Sequence, residues 1–235
     1  MTSAAKKKKP ARARPPERGE PEPPREARRE RKRTLAREEI LEATRRVIAK
    51  KGMPITLDAV AKEVGLTKAA LYYYYRSKDA LMFELVYRIF ERDTHLVGAA
   101  VAAQRSGKDA LAALLRTIIS GYAQSMDDFR LVFLQGQVAG PEAVKMLPEY
   151  FERIRPLNGV MYGGTTQKLE EDLGGHETRS GVPPRRLAFL AHMAAIGVLT
   201  MKGMVESVGD PLLYSDETLI DDLSRIFAVA AEKRR

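Results

Sequence analysis

The stretch that decides the fold is TLDAVAKEVGLTKAALYYYY, residues 56–75. It consists of two short segments with apolar residues at helical spacing, separated by Gly65. Thr56 and Thr67 stand where each helix would begin, and a threonine hydroxyl can accept a hydrogen bond from a free backbone N–H of the first turn. Gly65 readily adopts the left-handed conformation that a tight turn between two helices requires. The stretch therefore predicts a helix-turn-helix.

The second helix of this motif has two distinct faces. A helical wheel places Leu71 and Tyr75 on the inward side. Ala69 and Tyr73 fall on the outward side, flanked by Ala70. Small outward side chains would let the helix lie deep in the major groove of DNA, where a tyrosine can reach base edges or sugar. Four consecutive tyrosines could instead be core aromatics at a helix end, an interpretation that we accept for Tyr75 but not for Tyr73, which points away from Leu71.

Further side chains around the motif could hold the DNA backbone. Lys68 lies in the first turn and could contact phosphate or guanine, while Tyr72 and Tyr74 offer hydroxyl groups to the backbone. Ser77 is predicted to cap the next helix, which places Lys78 at a helix N-terminus, where phosphate is favoured. The alternative for Lys78 is a solvated surface lysine.

The rest of the chain is also helical in its pattern. From residue 34 onward nearly every segment has the 3.6-residue period, and none alternates as a half-buried strand would. We therefore expect an all-α fold. Besides the two helices of the motif, helices are predicted over residues 34–51, 78–105, 108–126, 128–138, 148–173, 184–208 and 216–233. Gly52 is placed to end the first, and glycines and prolines mark later breaks at 140–141, 174–175, 183–184 and 209–211.

Positive charge is concentrated at the N-terminal end. The formal net charge is +9, to which residues 1–33 contribute +8, residues 34–81 +3 and residues 82–235 −2. Residues 1–33 hold six of the 13 prolines and no Leu, Ile, Val, Phe or Tyr, so burial cannot offset the entropy lost on ordering. We expect a disordered basic tail. It either strengthens DNA binding through phosphate or minor-groove contacts or only solubilises the chain, and its composition is compatible with both roles.

Composition also excludes several kinds of site. The chain has no cysteine, which excludes disulfides, thiolate zinc sites and cysteine nucleophiles. The longest nearly apolar run, 187–201, has 15 residues, fewer than the roughly 20 that a membrane-spanning helix needs. No apolar segment follows the basic N-terminus as it would in a secretory signal. We therefore expect a cytoplasmic protein with no membrane partner.

The motif and its surroundings closely resemble the DNA-binding domain of the tetracycline-repressor (TetR) family over about 45 residues. The residues that carry the resemblance are Arg37, Ile40, Leu41, Ala43, Gly52, Thr56, Val60, Ala61, Val64, Gly65, Leu66, Thr67, Leu71, Tyr72, Tyr74, Tyr75, Ser77, Lys78, Asp79 and Leu81. The resemblance implies a homodimer on a palindromic operator, with a helical C-terminal domain that dimerises and binds an inducer.

By the same resemblance, two groups of side chains would meet DNA. Those implied to hold phosphates are Thr56, Thr67, Tyr72, Tyr74 and Lys78, and those implied to face bases are Lys68, Ala69, Ala70 and Tyr73. The sequence departs from the family at one of these positions, because the family usually has histidine where Tyr74 stands. A tyrosine hydroxyl can donate to phosphate but cannot become cationic.

The C-terminal half matches the family in layout only, so its description comes from periodicity. The run 187–201 is apolar almost all round and is predicted to be buried on more than one side. The last helix has its own apolar stripe. The resemblance implies that these two helices build a four-helix dimer interface, and packing within one chain is the alternative.

Aromatic and methionine side chains between these helices could line a cavity for a hydrophobic or aromatic effector. The candidates are Tyr122, Met126, Phe129, Phe133, Phe151, Met161, Tyr162, His192 and Met193. Each could equally be an ordinary core residue. For His192 a hydrogen-bonded position in the core is the favoured interpretation.

Together these features predict a transcriptional regulator, a repressor by the family's usual mode, that binds double-stranded DNA and is released by a small effector. The predicted domains are a tail over 1–33, a DNA-binding domain over 34–81 and an effector-binding and dimerisation domain over 82–235. One alternative is an architectural DNA-binding protein without an effector. Another is an enzyme on a helical bundle, but the chain has no Glu-x-x-His pair, no His-Glu-x-x-His motif and no phosphate-binding loop. We predict no enzymatic activity, metal or cofactor.

Overall fold

The computed structural model describes residues 24–134, 148, 150–208 and 214–234, and in these ranges the regular structure is helical. The helices are α1 (Arg25–Lys51), α2 (Leu57–Val64), α3 (Lys68–Tyr74), α4 (Lys78–Ala102), α5 (Gly107–Ala123), α6 (Met126–Phe129), α7 (Leu157–Leu173), α8 (Pro184–Val208) and α9 (Asp216–Ala230). Two π-helical turns cover Arg130–Leu134 and Tyr150–Ile154. The all-α prediction is confirmed.

Helices α1 to α3 form a small unit at the N-terminal end. The buried side of α1 carries Ile40, Val47 and Ile48, and the helix ends at Gly52, whose N–H donates to the Ile48 carbonyl at 2.7 Å. α1 packs on α2, and α2 packs on α3. Because each of these helices is amphipathic, their apolar sides meet in a common core that also includes the first turns of α4.

The first helix begins earlier than its predicted start at residue 34. Residues 25–33, assigned to the disordered tail, form the first turns of α1 and are exposed. That part of the tail prediction is wrong. The stretch contains only Arg, Glu, Ala and Lys, which have high helix propensity, so it can extend an existing helix without burying apolar surface.

The C-terminal part is a bundle arranged around α5, which packs against α4, α7, α8 and α9. α5 itself carries buried leucines and isoleucines, including Leu111, Leu115 and Ile119. α5 starts in close contact with α7, since a Cβ atom on Gly107 would lie 2.7 Å from the Cα of Leu169. Only glycine fits that contact.

Most predicted helix boundaries hold within a few residues, and the departures have local causes. The predicted helix over 148–173 is interrupted at Pro156, after which α7 starts at Leu157, because a proline ring cannot sit inside a continuous helix. The predicted helix over 128–138 starts as α6 and becomes a π-helical turn. Residues 135–138 and the predicted breaks at 140–141 and 209–211 lie outside the described residues.

The last predicted helix, 216–233, ends earlier than expected, at Ala230. The following residues run beside the loop after α7, where the Arg234 N–H donates to the Glu177 carbonyl at 2.9 Å and Thr178 bridges to Lys233. The chain end therefore closes the bundle at the α7–α8 loop.

Helix α8 is longer than the 15-residue run suggests. Within its stretch Pro184–Val205, of 22 residues, an 18-residue window has a mean hydropathy of 1.5, so by length and composition alone the helix could cross a membrane. Core helices of soluble proteins can pass the same test. Only 28% of that window is buried, which departs from the expectation of burial on several sides. α8 therefore has an apolar face that the described part of the chain does not cover.

Candidate nucleic-acid interface

The connection between α2 and α3 has the geometry of a helix-turn-helix. The Thr56 side chain accepts a hydrogen bond from the Ala59 N–H, and the Thr67 side chain caps α3 in the same way. Gly65 adopts φ 73° and ψ 24°, in the left-handed region. The following N–H, of Leu66, returns to the Ala61 carbonyl at 2.8 Å. This hydrogen bond closes the turn and sets the direction in which α3 leaves it.

Helix α3 separates buried from exposed side chains as its periodicity predicts. Leu71 is fully buried and Tyr75 is 3% exposed, whereas Tyr73 is 71% exposed. Ala69 is exposed and Ala70 is half-buried. The core position of Tyr75 is confirmed. The outward surface of α3 thus consists of a protruding aromatic ring beside small side chains, a shape that can enter a DNA groove.

The remaining tyrosines of α3 differ in their surroundings. Tyr72 is 45% exposed. Tyr74 is half-buried and packs against the core, and its ring meets that of Tyr73 edge-on at 5.1 Å between centroids. This contact helps to hold Tyr73 in its outward position. Tyr72 therefore offers the more accessible hydroxyl of the two.

The two lysines expected at DNA differ in their partners. The Lys68 ammonium lies 2.8 Å from the Asp58 carboxylate, and this hydrogen bond and charge raise the pKa of Lys68. Because both side chains are exposed, phosphate could replace Asp58 at little cost. Lys78 is exposed at the start of α4, where the Ser77 hydroxyl accepts from the Ala80 N–H at 3.0 Å. Lys78 is thus held beside a helix N-terminus, as predicted.

Comparison with protein families identifies this region. Residues 40–85 match the family model for bacterial regulatory proteins of the tetR family. The chain carries a TetR-family DNA-binding domain. The matched range contains α2, α3, the turn at Gly65 and the start of α4. The TetR-family domain thus includes the helix-turn-helix recognised in the sequence.

Solved structures share the fold over most of the chain. A TetR/AcrR-family regulator from Thermobifida fusca YX-ER1 is 22% identical, with a TM-score of 0.59 over 82% of this chain and 96% of its own. The regulator FadR from Bacillus subtilis, solved with stearoyl-CoA, is 16% identical, with a TM-score of 0.64 over 82% and 98%. A TetR regulator from Haloarcula marismortui ATCC 43049 is 20% identical, with a TM-score of 0.61 over 84% and 97%. No curated relative matches the chain. At these identities the structures show the fold alone.

A buried carboxylate connects the TetR-family domain to the start of the C-terminal bundle. The side chain of Asp128 in α6 is 3% exposed and accepts hydrogen bonds from Arg45 of α1 and from Arg92 of α4, the latter at 3.2 Å. A buried carboxylate requires such partners because losing water is costly for an ion. α6 is therefore tied to both α1 and α4 through one side chain.

A second buried carboxylate, Glu84 of α4, lies at the other contact between the two parts. It bonds Arg153 at 2.7 Å and Arg88 at 3.1 Å, and Arg37 of α1 lies 3.9 Å away. Burial opposes ionisation of Glu84, but the hydrogen bond from Arg153 and the charges of the three arginines outweigh it and hold its pKa below the usual range. Arg153 also stacks 3.8 Å from the centroid of the Tyr87 ring.

Several of the predicted effector-binding side chains form one aromatic cluster, which we define as Tyr122, Phe129, Phe133, Tyr162, Phe189 and His192. Ring centroids along the series Tyr122–Phe133–His192–Tyr162–Phe189 are 5.5 to 6.0 Å apart. Phe129 contacts both Tyr122 and Phe133. Phe189 was not among the sequence candidates, although its position three residues before His192 places it on the same side of a helix.

The other sequence candidates lie elsewhere. Met161 is buried in the core, and Met126 packs against α8 with its terminal methyl near Gly203. Phe151 and Met193 are 54% and 48% exposed. His192 is 5% exposed, as a core residue would be, but its Nδ1 is buried and has no hydrogen-bond partner within the described part of the chain.

Proposed function

We propose that this TetR-family regulator is a repressor that binds a palindromic operator as a homodimer and is released by a small, largely apolar effector. The observation that carries the proposal is the outward surface of α3, where Tyr73 protrudes beside Ala69 while Leu71 anchors the helix from behind. Residues 34–81 would be the DNA-binding domain and residues 82–235 the effector-binding and dimerisation domain. The first turns of α1 and the basic residues before them would add phosphate contacts.

The assignment of side chains to bases and phosphates follows the family resemblance. Tyr73, Ala69, Ala70 and Lys68 would face the bases. The phosphate-binding groups would be Thr56, Thr67, Tyr72, Tyr74 and Lys78. Lys68 must first leave Asp58, and a phosphate or a guanine edge can supply the negative potential that it loses.

Dimerisation is supported by the exposed apolar faces of α8 and α9. The exposed apolar side chains there are Phe189, Leu190, Met193, Met201, Met204, Val208, Ile226 and Val229, each between 41% and 76% exposed. Contiguous apolar surface of this kind usually marks an interface. Two copies that paired these helices would bury both faces. The dimer would then carry two copies of α3, the recognition helix.

Release by an effector would use the aromatic cluster and the buried carboxylates. Phe129 belongs to the cluster and is the neighbour of Asp128, which holds Arg45 and Arg92. Displacing Phe129 would therefore move α1 and α4 together. Dimer recognition requires two recognition helices about 34 Å apart, so a small shift of α4 lowers DNA affinity. By linkage, DNA must weaken effector binding by the same factor.

The solved neighbours support an apolar effector. FadR from Bacillus subtilis, which shares the fold, was solved in complex with stearoyl-CoA, a ligand that contains a long apolar chain. In the present chain the aromatic cluster offers apolar surroundings between α5, α7 and α8.

Selection of binding sites from a random DNA pool tests the proposal. The full chain should enrich an inverted repeat with half-sites about one helical turn apart. A variant lacking residues 1–33 should enrich the same sequence with lower affinity and a smaller dependence on salt, because it retains α3 but loses a net charge of +8. An architectural protein would enrich no sequence and would lose most binding with the tail.

A further inference from the structure

The aromatic cluster contains polar atoms that the described part of the chain does not satisfy. The buried atoms without a hydrogen-bond partner are Thr94 Oγ1, Tyr122 Oη, Thr165 Oγ1 and His192 Nδ1. Leaving such a group unpaired costs about 1–3 kcal/mol, so proteins rarely retain one without a reason. Two of the four, Tyr122 and His192, are 5% exposed and belong to the aromatic cluster.

One ring, Phe133, contacts both of these residues. Its centroid lies 5.5 Å from that of Tyr122 and 6.0 Å from that of His192. Phe133 belongs to the π-helical turn Arg130–Leu134 and is only partly buried. Such turns are rare and occur frequently at functional sites. A guest that displaced the Phe133 ring would lie against Tyr122 and His192 at once.

The charge state of the cluster restricts what such a guest can carry. Burial lowers the pKa of His192 to about 4, so its imidazole is neutral at neutral pH. Burial and the nearby carboxylates of Asp93 and Asp128 raise the pKa of Tyr122 and outweigh the charge of Arg92, so the phenol stays protonated. Arg92 is paired with these two carboxylates, and the other members of the cluster are phenylalanines and a tyrosine, so the surroundings offer no unpaired cation to a carboxylate or phosphate. A neutral imidazole and a phenol bind uncharged hydrogen-bonding groups.

We propose that Tyr122 and His192 form the polar end of the effector site, and that the effector carries an uncharged hydroxyl or carbonyl group on an apolar body that displaces Phe133. This inference rests on the proposed function, in which a small molecule binds between the helices of the C-terminal bundle. It adds the chemistry of the recognised group and the two residues that read it.

Binding of three matched probes to the full chain tests this proposal. 4-Propylphenol, propylbenzene and 4-propylbenzoate share an alkylated ring and differ in one substituent: a hydroxyl, none, or a carboxylate. Calorimetric titration at pH 7.5 should give a Kd for the phenol about tenfold below that for the hydrocarbon, as one net hydrogen bond provides. The benzoate should bind more weakly than the phenol. Equal affinities, strongest binding of the benzoate, or no binding up to the solubility limit would overturn the proposal.

Substitutions of Tyr122 and His192 test whether these residues cause the preference for the phenol over the hydrocarbon. In His192→Phe and in Tyr122→Phe the phenol should lose most of its advantage, while the hydrocarbon should bind as in the natural chain. His95→Phe is the matched control, since His95 is exposed on α4 and the substitution makes the same chemical change. A phenol preference that survived in His192→Phe and Tyr122→Phe would contradict the assignment.

A spectroscopic measurement on the natural chain does not depend on the folding of variants. The chain has three histidines, so ¹⁵N labelling of their rings gives few signals, and His95→Phe assigns one of them. The phenol should shift the Nδ1 signal of His192, and the hydrocarbon should leave it nearly in place. An unmoved Nδ1 signal at saturating phenol would overturn the proposal. Failure of the DNA selection would reject the proposed function while leaving this probe preference intact, so the two failures are distinguishable.

Discussion

Tyr73 shows how one side chain can be assigned from direction alone. It is surrounded in sequence by tyrosines, yet these residues occupy different environments. Tyr75 is buried and Tyr74 is half-buried, whereas Tyr73 is 71% exposed. Composition cannot distinguish them, whereas the 3.6-residue period does. An exposed aromatic ring on the outer side of a helix-turn-helix is available to read bases.

Substitutions of Tyr73 and Lys78 should separate base reading from phosphate binding. Tyr73→Ala should lower the preference for the selected operator over random DNA, because a base contact is worth about 1–3 kcal/mol. Lys78→Ala should weaken binding to all sequences alike and flatten the salt dependence by about one unit. Fluorescence anisotropy titrations at several salt concentrations measure both effects. If Tyr73→Ala left the preference unchanged, α3 would not be reading bases through its outward face.

His192 should make the protein sensitive to mild acid. Its pKa is lowered by burial from 6.5 to about 4. The unfolded chain therefore takes up the proton first, so stability is complete above pH 6.5 and falls as the pH drops toward 4. The loss amounts to about 3 kcal/mol at the lower end of this range.

Urea unfolding as a function of pH measures this effect. His192→Phe should lose less stability than the natural chain between pH 6.5 and 4, and His95→Phe should follow the natural chain. Protonation of acidic groups such as Glu84 also lowers the stability of the protein in acid. This effect is the same in all three proteins and cancels in the comparison. Parallel curves for His192→Phe and the natural chain would show that His192 is not held neutral.

At the scale of elements, the decisive contacts join helices that lie far apart in the sequence. Asp128 binds arginines 83 and 36 residues away, and Glu84 binds an arginine 69 residues away. Neither contact has a periodic signal in the sequence. The sequence shows only that α1, α4 and α6 carry charges, and packing decides which charges meet.

Neighbouring aspartates in α6 provide a matched test of this connection. Asp128→Asn should lower the free energy of unfolding by about 1–3 kcal/mol, because it leaves Arg45 and Arg92 without their buried anion. Asp127→Asn should change it by less than about 0.5 kcal/mol, since the Asp127–Arg130 pair is exposed on both sides. Chemical denaturation with a helical signal compares the two. Equal effects would mean that the Asp128 network does not fasten α6 to α1 and α4.

At the scale of the whole molecule, the residues that the structure describes leave the last two helices, α8 and α9, incompletely covered. α8 is apolar enough by composition to be mistaken for a membrane helix, yet its buried side packs on α5 and α7. The other side carries exposed methionines and Phe189, and α9 also has exposed apolar residues. Such a surface is expected to meet a second copy.

A charge introduced into this surface should prevent dimerisation. Ile226→Glu places a carboxylate at a 62% exposed position of α9, where it costs little in the monomer but would be buried without a partner in the dimer. Sedimentation velocity should detect a dimer for the natural chain and a monomer for the variant. Leu96→Glu, at a 55% exposed position of α4, is the control and should remain dimeric. A dimeric Ile226→Glu would place the interface elsewhere.

The sequence alone was sufficient for the helices, the turn at Gly65 and the two faces of α3, because these depend on interactions between residues a few positions apart. It overestimated the disordered tail, since helix propensity extends α1 to Arg25 without burial. Its prediction of effector-binding residues was less specific, because aromatic side chains that line a site and those that fill a core have the same periodicity.

Only the tertiary structure decided which distant side chains meet. It brought Tyr122, Phe133 and His192 together, left Nδ1 of His192 without a partner in the described residues, and buried Asp128 between two arginines. Local sequence sets the direction of a side chain along its own helix. The neighbour that it finds depends on how helices pack across long separations in the chain, and that is a property of the folded molecule.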